Sequence, residues 1–465
     1  MGTSVWHWCS QITWIRDERM NSAVVDGVIK PLRPADLSPC ERLAATPEAV
    51  VKPPRTSSFR RLLSFVGPGY LVAVGYMDPG NWATSLNGGS AFGYSLLSVV
   101  LLSSLMAMLL QAAAVRLGIA SGLDLAQACR RHLPARLNLT LWLACEVAIV
   151  ACNLAEVLGM ACGLNLLFHV PLIIGVCITA LDVMLVLRLQ RKGARPLEIF
   201  IIALVALIGA CVAIQLVWLQ APLLEVASGF LPTTHIVTNP SMLYLAVGII
   251  GATVMPHNLY LHSSLVQARA RDTTKRPWQA IRFATFDSNL ALGVALLVNV
   301  GILVLAAAAF HRPGQGVVVE LEDAYRLLSP VVGASAASTL FGVGLLASGL
   351  SSSITGTLAG QVVMEGFLDI RVSRAKRALL TRSVAILPAV AVAAWFGHEG
   401  VGRLLVLSQV ILGLQLPFAV VPLLWFTTRR RHLGQYAFGT GTSAVLWSVA
   451  GLLIAINVWG VCNAL

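Results

Sequence analysis

The chain has 465 residues, of which 57% are hydrophobic and 12% charged, and its mean hydropathy is +0.78. Soluble proteins average about 25% charged residues, so this composition excludes a soluble globular protein and requires an integral membrane protein. The formal charge of +12 suits a nucleic-acid partner at first sight, but Lys and Arg fall in alternate loops between apolar runs, which is the signature of membrane topology rather than of nucleic-acid binding.

In chain order, residues 1–58 carry Pro31, Pro34, Pro39, Pro47, Pro53 and Pro54 without a sustained period. A disordered cytoplasmic tail is expected there. It has no apolar h-region, so no signal peptide is expected, and Met20 is an alternative start. Residues 59–465 are expected to form one transmembrane transporter domain. Apolar runs of roughly 20 residues, long enough to cross a core of about 30 Å, number about eleven. Their centres lie near Val74, Leu105, Val150, Cys177, Val205, Gly251, Leu296, Leu346, Val390, Leu412 and Leu452. Basic clusters at Arg60/Arg61, Arg130/Arg131/Arg136, Arg188/Arg191/Lys192/Arg195, Arg269/Arg271/Lys275/Arg276, Arg371/Arg374/Lys376/Arg377 and Arg429/Arg430/Arg431 precede segments 1, 3, 5, 7, 9 and 11. This alternation puts the N-terminus in the cytoplasm and the C-terminus outside, as an odd number of spans requires. The nine cysteines include no CxxC pair, so buried thiols are expected and not disulfides or a zinc site.

Two segments are interrupted. Segment 1 reads FVGPGYLVAVGYMDPGNWATSL, and segment 6 reads LAVGIIGATVMPHNLYLHSSLVQ with Met255, Pro256, His257 and Asn258 at its middle. Proline removes an amide donor and clashes with the preceding turn, so each segment should split into two half-helices. Carbonyls freed there survive in lipid only against protein, water or an ion. Two broken helices, each heading a block of five, predict an all-α membrane protein with a five-plus-five inverted repeat and a substrate at its midplane. The repeats are expected at about 64–220 and 241–428, followed by an extra helix at about 441–462.

An intramembrane carboxylate is costly unless it is paired or ligates something. Asp78 offers charged oxygen, Asn81 an amide oxygen one turn on, and the backbone near Gly75 and Ala252 offers carbonyls. Met255 adds a thioether. Methionine often only fills gaps in a core, but a thioether beside the break points to a ligand. Mg²⁺ and Ca²⁺ gain little from sulfur, whereas softer divalent transition metals accept it. The set therefore fits Mn²⁺ or Fe²⁺, with Co²⁺ and Cd²⁺ able to enter. For protons, His257 and His262 titrate near neutrality when unperturbed. Glu156, in CNLAEVLG, is a buried acid that could pair with Arg269 across the bundle.

These stretches resemble the Nramp family of proton-coupled divalent metal transporters, and among them the bacterial manganese transporters. DPGNWATSL and GATVMPHNLYLHSSLVQ are similar to the family's two signatures, LASGLSSSITGTLAGQVVMEGF to its helix 8 motif and LSQVILGLQLPFAVVPL to its helix 10. The likeness runs from about Phe65 to Leu424. It implies that Asp78, Asn81, Met255 and the Ala252 carbonyl hold the metal, with the Gly75 carbonyl and Gln409 joining in other conformations. It further implies that His257 is the histidine just after the helix 6 ligands, and that His262, Glu156 and Arg269 belong to a proton pathway. The implied fold is the leucine-transporter-like inverted repeat shared with sodium-coupled amino-acid transporters.

The chain departs from the family pattern at Asn153, where an Asp is usual, and at Leu350, where a Gln is usual. An amide releases no proton at physiological pH, so Asn153 bears directly on coupling. The implied function is import of Mn²⁺ or Fe²⁺ into the cytoplasm by proton symport, in a plasma membrane, the bacterial inner membrane. Metal ions, protons and lipid are the expected partners, with no cofactor, no obligate protein partner and no enzymatic activity. An uncoupled uniporter and an Nramp-related Mg²⁺ transporter are the alternatives within the class, and the Mg²⁺ transporter is expected to lack the thioether. An amino-acid symporter is disfavoured because Asp78 would repel a substrate carboxylate. A non-transporting metal sensor would be expected to carry a large soluble extension.

Overall fold

The computed structural model describes residues 68–191, 194–270, 277–312, 317–370, 373–395 and 400–464, and among them there are helices and turns but no strand. The expected tail at 1–58 lies outside the described residues.

The first broken segment begins with α1 (Pro68–Ala73), tightens into a 3-10 turn at Val74–Met77, and restarts as α2 (Pro79–Phe92). The restart follows from local chemistry. Pro79 occupies the first position of α2, where a missing N–H costs nothing, and Asp78 caps it with extended backbone (φ −67°, ψ 166°) and a side chain that accepts from Asn81 N. Next come α3 (Leu97–Ser121), the short α4 (Leu125–His132), α5 (Ala135–Phe168), α6 (Leu172–Thr179), α7 (Asp182–Arg191) and α8 (Ala194–Leu219). Two short helices, α9 (Leu223–Gly229) and α10 (His235–Thr238), lead to the second broken segment, α11 (Pro240–Val254) and α12 (Pro256–Ala270). The chain continues through α13 (Pro277–Phe310), α14 (Leu321–Val332), α15 (Ala336–Leu368), α16 (Arg374–Trp395), α17 (Val401–Thr428), α18 (Arg430–Leu433) and α19 (Thr440–Ala464).

Eight stretches among the described residues are long and apolar enough to cross a membrane, the first of them running from α2 through α3. Burial separates centre from rim. Across α11 and α12 the most apolar window is 94% buried, against 33% for α8 and 22% for α19, so the second broken segment is wrapped by protein while those two helices face outward.

Segment 4 differs from the sequence expectation. The segment expected around Cys177 is interrupted: the chain turns at Ala180–Leu181 between the short helices α6 and α7. Directly after the turn, Asp182 heads α7 and points into the bundle toward Arg382 and Ser353. The cysteines behave as expected in part: Cys129, Cys145, Cys152, Cys162 and Cys211 are free and buried, while Cys177 is free and exposed on α6.

The short helix α4, with Arg130, Arg131 and His132 in its last turn, is held by a capping box in which Asp124 accepts from Gln127 N while Gln127 Oε1 accepts from Asp124 N. Burial raises the Asp124 pKa to about 7, against the smaller opposing pull of its hydrogen bonds and of Arg130.

Candidate functional site

The two breaks face each other. Breaking a helix frees carbonyls, and each must find a partner when buried. The Tyr76 carbonyl accepts from Asn299 Nδ2 at 2.7 Å, and the Met77 carbonyl accepts from the Ser348 hydroxyl. Thus α13 and α15 stabilise the unwound turn of the first segment. On the second segment Met255 sits at φ 39°, ψ 96°, a conformation that costs a non-glycine residue about 1–3 kcal/mol and is typical of functional sites.

Between these turns lies one buried cluster. Asn81 Nδ2 donates to Asp78 Oδ1 at 2.7 Å and to the Ala252 carbonyl at 3.0 Å, while Asn81 N donates to the same Oδ1 at 3.0 Å. Asp78 Oδ2 is buried without a hydrogen-bond partner. Met255 is fully buried, and its sulfur accepts from Asn258 Nδ2 at 3.4 Å. A Cβ placed on Gly75 would lie 3.2 Å from that sulfur, so the 3-10 turn approaches Met255 closely enough to contribute backbone. Gln409 from α17 presses on Gly80, its Nε2 donates to the Ser408 hydroxyl at 2.9 Å, and its Oε1 is buried and unpartnered. Asn81 thus joins Asp78 to the Ala252 carbonyl, the Gly75 turn approaches the Met255 sulfur, and Gln409 reaches the first break at Gly80. One detail differs: the amide nitrogen of Asn81, not its oxygen, faces Asp78 and Ala252. A positive N–H pair bridging two oxygens marks where positive charge is favoured, and a half-turn of the amide presents oxygen to the same point.

Chemically the spot offers one carboxylate, one or two amides, a carbonyl and a thioether. No group of three or more His, Cys, Asp or Glu side chains forms a metal-holding cluster among the described residues. A mixed, weakly charged donor set suits a cation that binds and then leaves.

The proposed proton residues fall into two sets. His262 Nδ1 lies 2.8 Å from Gln111 Oε1, and Gln111 Nε2 donates to the Tyr76 hydroxyl at 2.6 Å. The Tyr76 hydroxyl in turn donates to the Val254 carbonyl at 3.4 Å. A hydrogen-bonded chain thus joins His262 to both breaks, while His257 is buried with Nδ1 unpartnered. Glu156 is separate and its partner is Arg382 of α16, whose Nη1 donates to Glu156 Oε2 at 3.1 Å. The expected pairing partner, Arg269, lies in the last turn of α12 with its side chain outside the described residues. Asn153 Nδ2 donates back to the Ile149 carbonyl at 2.8 Å, and its Oδ1 lies 3.4 Å from Arg382 Nη1. Ten residues before Glu156, Glu146 pairs with Arg377 at 2.6 Å. Nothing in the structure explains Leu350, which is half-buried on α15.

Asp182 and Arg382 were missed in the sequence, although the rule that singled out Asp78, a charge inside an apolar run, applies to both. Tyr76 and Gln111 carried no comparable signal.

A helical bundle whose two broken segments meet at a buried site of this kind has the architecture of a secondary transporter. The natural resistance-associated macrophage protein-like (Nramp) family model matches residues 69–463, and the chain belongs to that family. It is 56% identical over 425 residues, 91% of this chain and 94% of the other, to a protein of Bradyrhizobium diazoefficiens named divalent metal cation transporter MntH. A Nostoc sp. protein of the same name is 52% identical over 427 residues, 91% of this chain and 97% of that one. The crystal structure of the Eremococcus coleocola manganese transporter, in complex with an aromatic bis-isothiourea substituted compound, matches with a TM-score of 0.80 at 39% identity over 89% of each chain. MhsT in complex with L-phenylalanine matches with a TM-score of 0.58 at 16% identity, over 85% of this chain and 98% of that one, and so shares the fold alone. The relatives are named as transporters, and the chain is not an enzyme.

Proposed function

We propose that this protein carries divalent transition metal ions, Mn²⁺ and Fe²⁺, into the cytoplasm by proton symport, with the N-terminus cytoplasmic and the C-terminus outside. The observation that carries this reading is the buried, unpartnered Oδ2 of Asp78, a carboxylate that Asn81 bridges to the Ala252 carbonyl, with the Met255 thioether against the unwound turn at Gly75. A lone buried carboxylate costs several kcal/mol, and a bound divalent cation offsets that cost. The thioether disfavours Mg²⁺ and Ca²⁺, which take oxygen ligands. The names of the MntH relatives and of the Eremococcus coleocola manganese transporter support the same substrate class.

Asp78, Asn81, Met255 and the Ala252 carbonyl serve as ligands, and Gly75 and Gln409 join as the breaks move. Asp78, Met255 and Gln409 are fully buried, so entry and exit require packed helices to shift about the site. The membrane potential favours inward movement of the cation by about 2.3 kcal/mol per charge per 100 mV. His257 and His262 near the breaks, and Glu156 beside Arg382, carry protons. The setting is a plasma membrane, the bacterial inner membrane.

The experiment is Mn²⁺ uptake into proteoliposomes holding a pH-sensitive dye. Uptake with internal acidification is expected; uptake without it would make the protein a uniporter, and no uptake of Mn²⁺ or Fe²⁺ would overturn the substrate assignment.

A further inference from the structure

The family pattern places an acid where this chain has Asn153, three residues before Glu156. The structure shows a second acid reaching the same place from another helix. Asp182, at the head of α7, binds Arg382 through both oxygens: Arg382 Nε donates to Oδ1 at 3.3 Å, and Nη2 and the Ser353 hydroxyl both donate to Oδ2. The same guanidinium donates to Glu156 Oε2 at 3.1 Å and approaches Asn153 Oδ1 at 3.4 Å. The side chains of Glu156, Arg382 and Asp182 are 0%, 3% and 5% exposed. The Cys152 thiol donates to Glu156 Oε1 at 3.6 Å, and a Cβ at Gly356 would lie 2.8 Å from that oxygen. The charged groups facing Asp182 in this cluster are therefore Arg382 from α16 and Glu156 from α5.

Charge counting decides what such a cluster can do. Two carboxylates share one guanidinium, so with both ionised the cluster carries one net negative charge inside the membrane. A net buried charge is unfavourable, and two acids this close to one cation bind a proton as a coupled pair. The cluster therefore has room for one exchangeable proton.

We propose that Asp182 supplies the second proton-carrying carboxylate that Asn153 cannot, so that the pair Glu156 and Asp182, balanced by Arg382, passes protons along the α5, α7 and α16 side of the bundle. The Glu146 and Arg377 pair continues that side, and its Glu is more exposed, 17% against 0% for Glu156. This inference rests on the symport reading above.

The test uses Mn²⁺ uptake and internal acidification measured together in proteoliposomes for the wild type, Asp182→Asn and the double variant Asn153→Asp with Asp182→Asn. Because Asn153 Oδ1 is already near Arg382, the double variant returns an acid to the same guanidinium. Asp182→Asn should lower proton entry per Mn²⁺ at least about tenfold, a smaller factor than the 10²–10⁴ that a positioned acid–base group contributes, and the double variant should restore it. If Asp182→Asn does not fold, restoration of both fluxes by the double variant carries the proposal, and no restoration overturns it. If uptake and acidification fall together with their ratio unchanged, Asp182 only anchors Arg382 and the proposal is overturned. Unchanged acidification in Asp182→Asn overturns it while leaving symport intact. A wild type that takes up Mn²⁺ without acidification removes the symport reading itself, and this inference with it.

Discussion

Two buried acidic clusters in this bundle obtain their positive charge differently. Around Asp78 the hydrogen-bond donors are the amide groups of Asn81, and Oδ2 is left without a partner. Around Glu156 and Asp182 the chain supplies its own cation, Arg382. The first arrangement favours a cation from outside. The second holds two carboxylates on one internal guanidinium, so with both ionised it carries one net negative charge, and the cargo it can still accept is a single proton. On the proposed reading, the location of the compensating charge separates metal handling from proton handling in one polar interior.

The comparison breaks most readily at Asp78. Asp78→Ala should weaken Mn²⁺ binding by at least about 100-fold, the upper end of what outer-shell metal partners contribute, as read by titration calorimetry on the purified protein. Near wild-type affinity would move the metal elsewhere. Stability should respond the other way. Removing an uncompensated buried charge should leave the thermal midpoint unchanged or higher, whereas Arg382→Ala strands two acids and should cost about 3–5 kcal/mol. If thermal unfolding shows both variants shifting in the same direction, the contrast drawn above is wrong.

A smaller effect sharpens the metal side. Met255→Ala removes the thioether and should let Mg²⁺ or Ca²⁺ compete with Mn²⁺ about tenfold better, equivalent to about 1.4 kcal/mol. Competition assays that show unchanged selectivity would reduce the thioether to packing.

The smallest effect is a control outside the membrane. Burial raises the Asp124 pKa to about 7 from 3.8, so the folded state holds this proton more tightly than the unfolded state. The penalty is absent below the unfolded value, grows as pH rises and is complete above the folded value. Asp124→Asn keeps a capping side chain, and it should flatten the fall in thermal midpoint between pH 5 and pH 8 by about 2–4 °C. An unaltered slope would assign the pH dependence to other groups.

Legibility in the sequence followed the range of the interactions. Pro79 and Pro256 break their helices through steric clash with the preceding turn, and Asp78 caps the restart three residues from its partner Asn81; these events are local. Apolar length and composition likewise determined that the chain is a membrane protein with two interrupted segments. A carboxylate and a thioether beside those breaks pointed to a soft divalent cation because ligand type is written in residue identity.

Only the tertiary structure decided which distant groups meet. Asn81 turns its amide nitrogen toward a carbonyl 171 positions away. Asp182, just after the turn in the fourth apolar segment, meets Arg382, 200 positions along the chain. The same guanidinium takes Glu156, a pairing with α16 that the sequence reading did not anticipate. Periodicity and composition record what each segment must bury. They do not record which neighbour supplies the opposing charge, because that depends on how helices far apart in the chain are packed together.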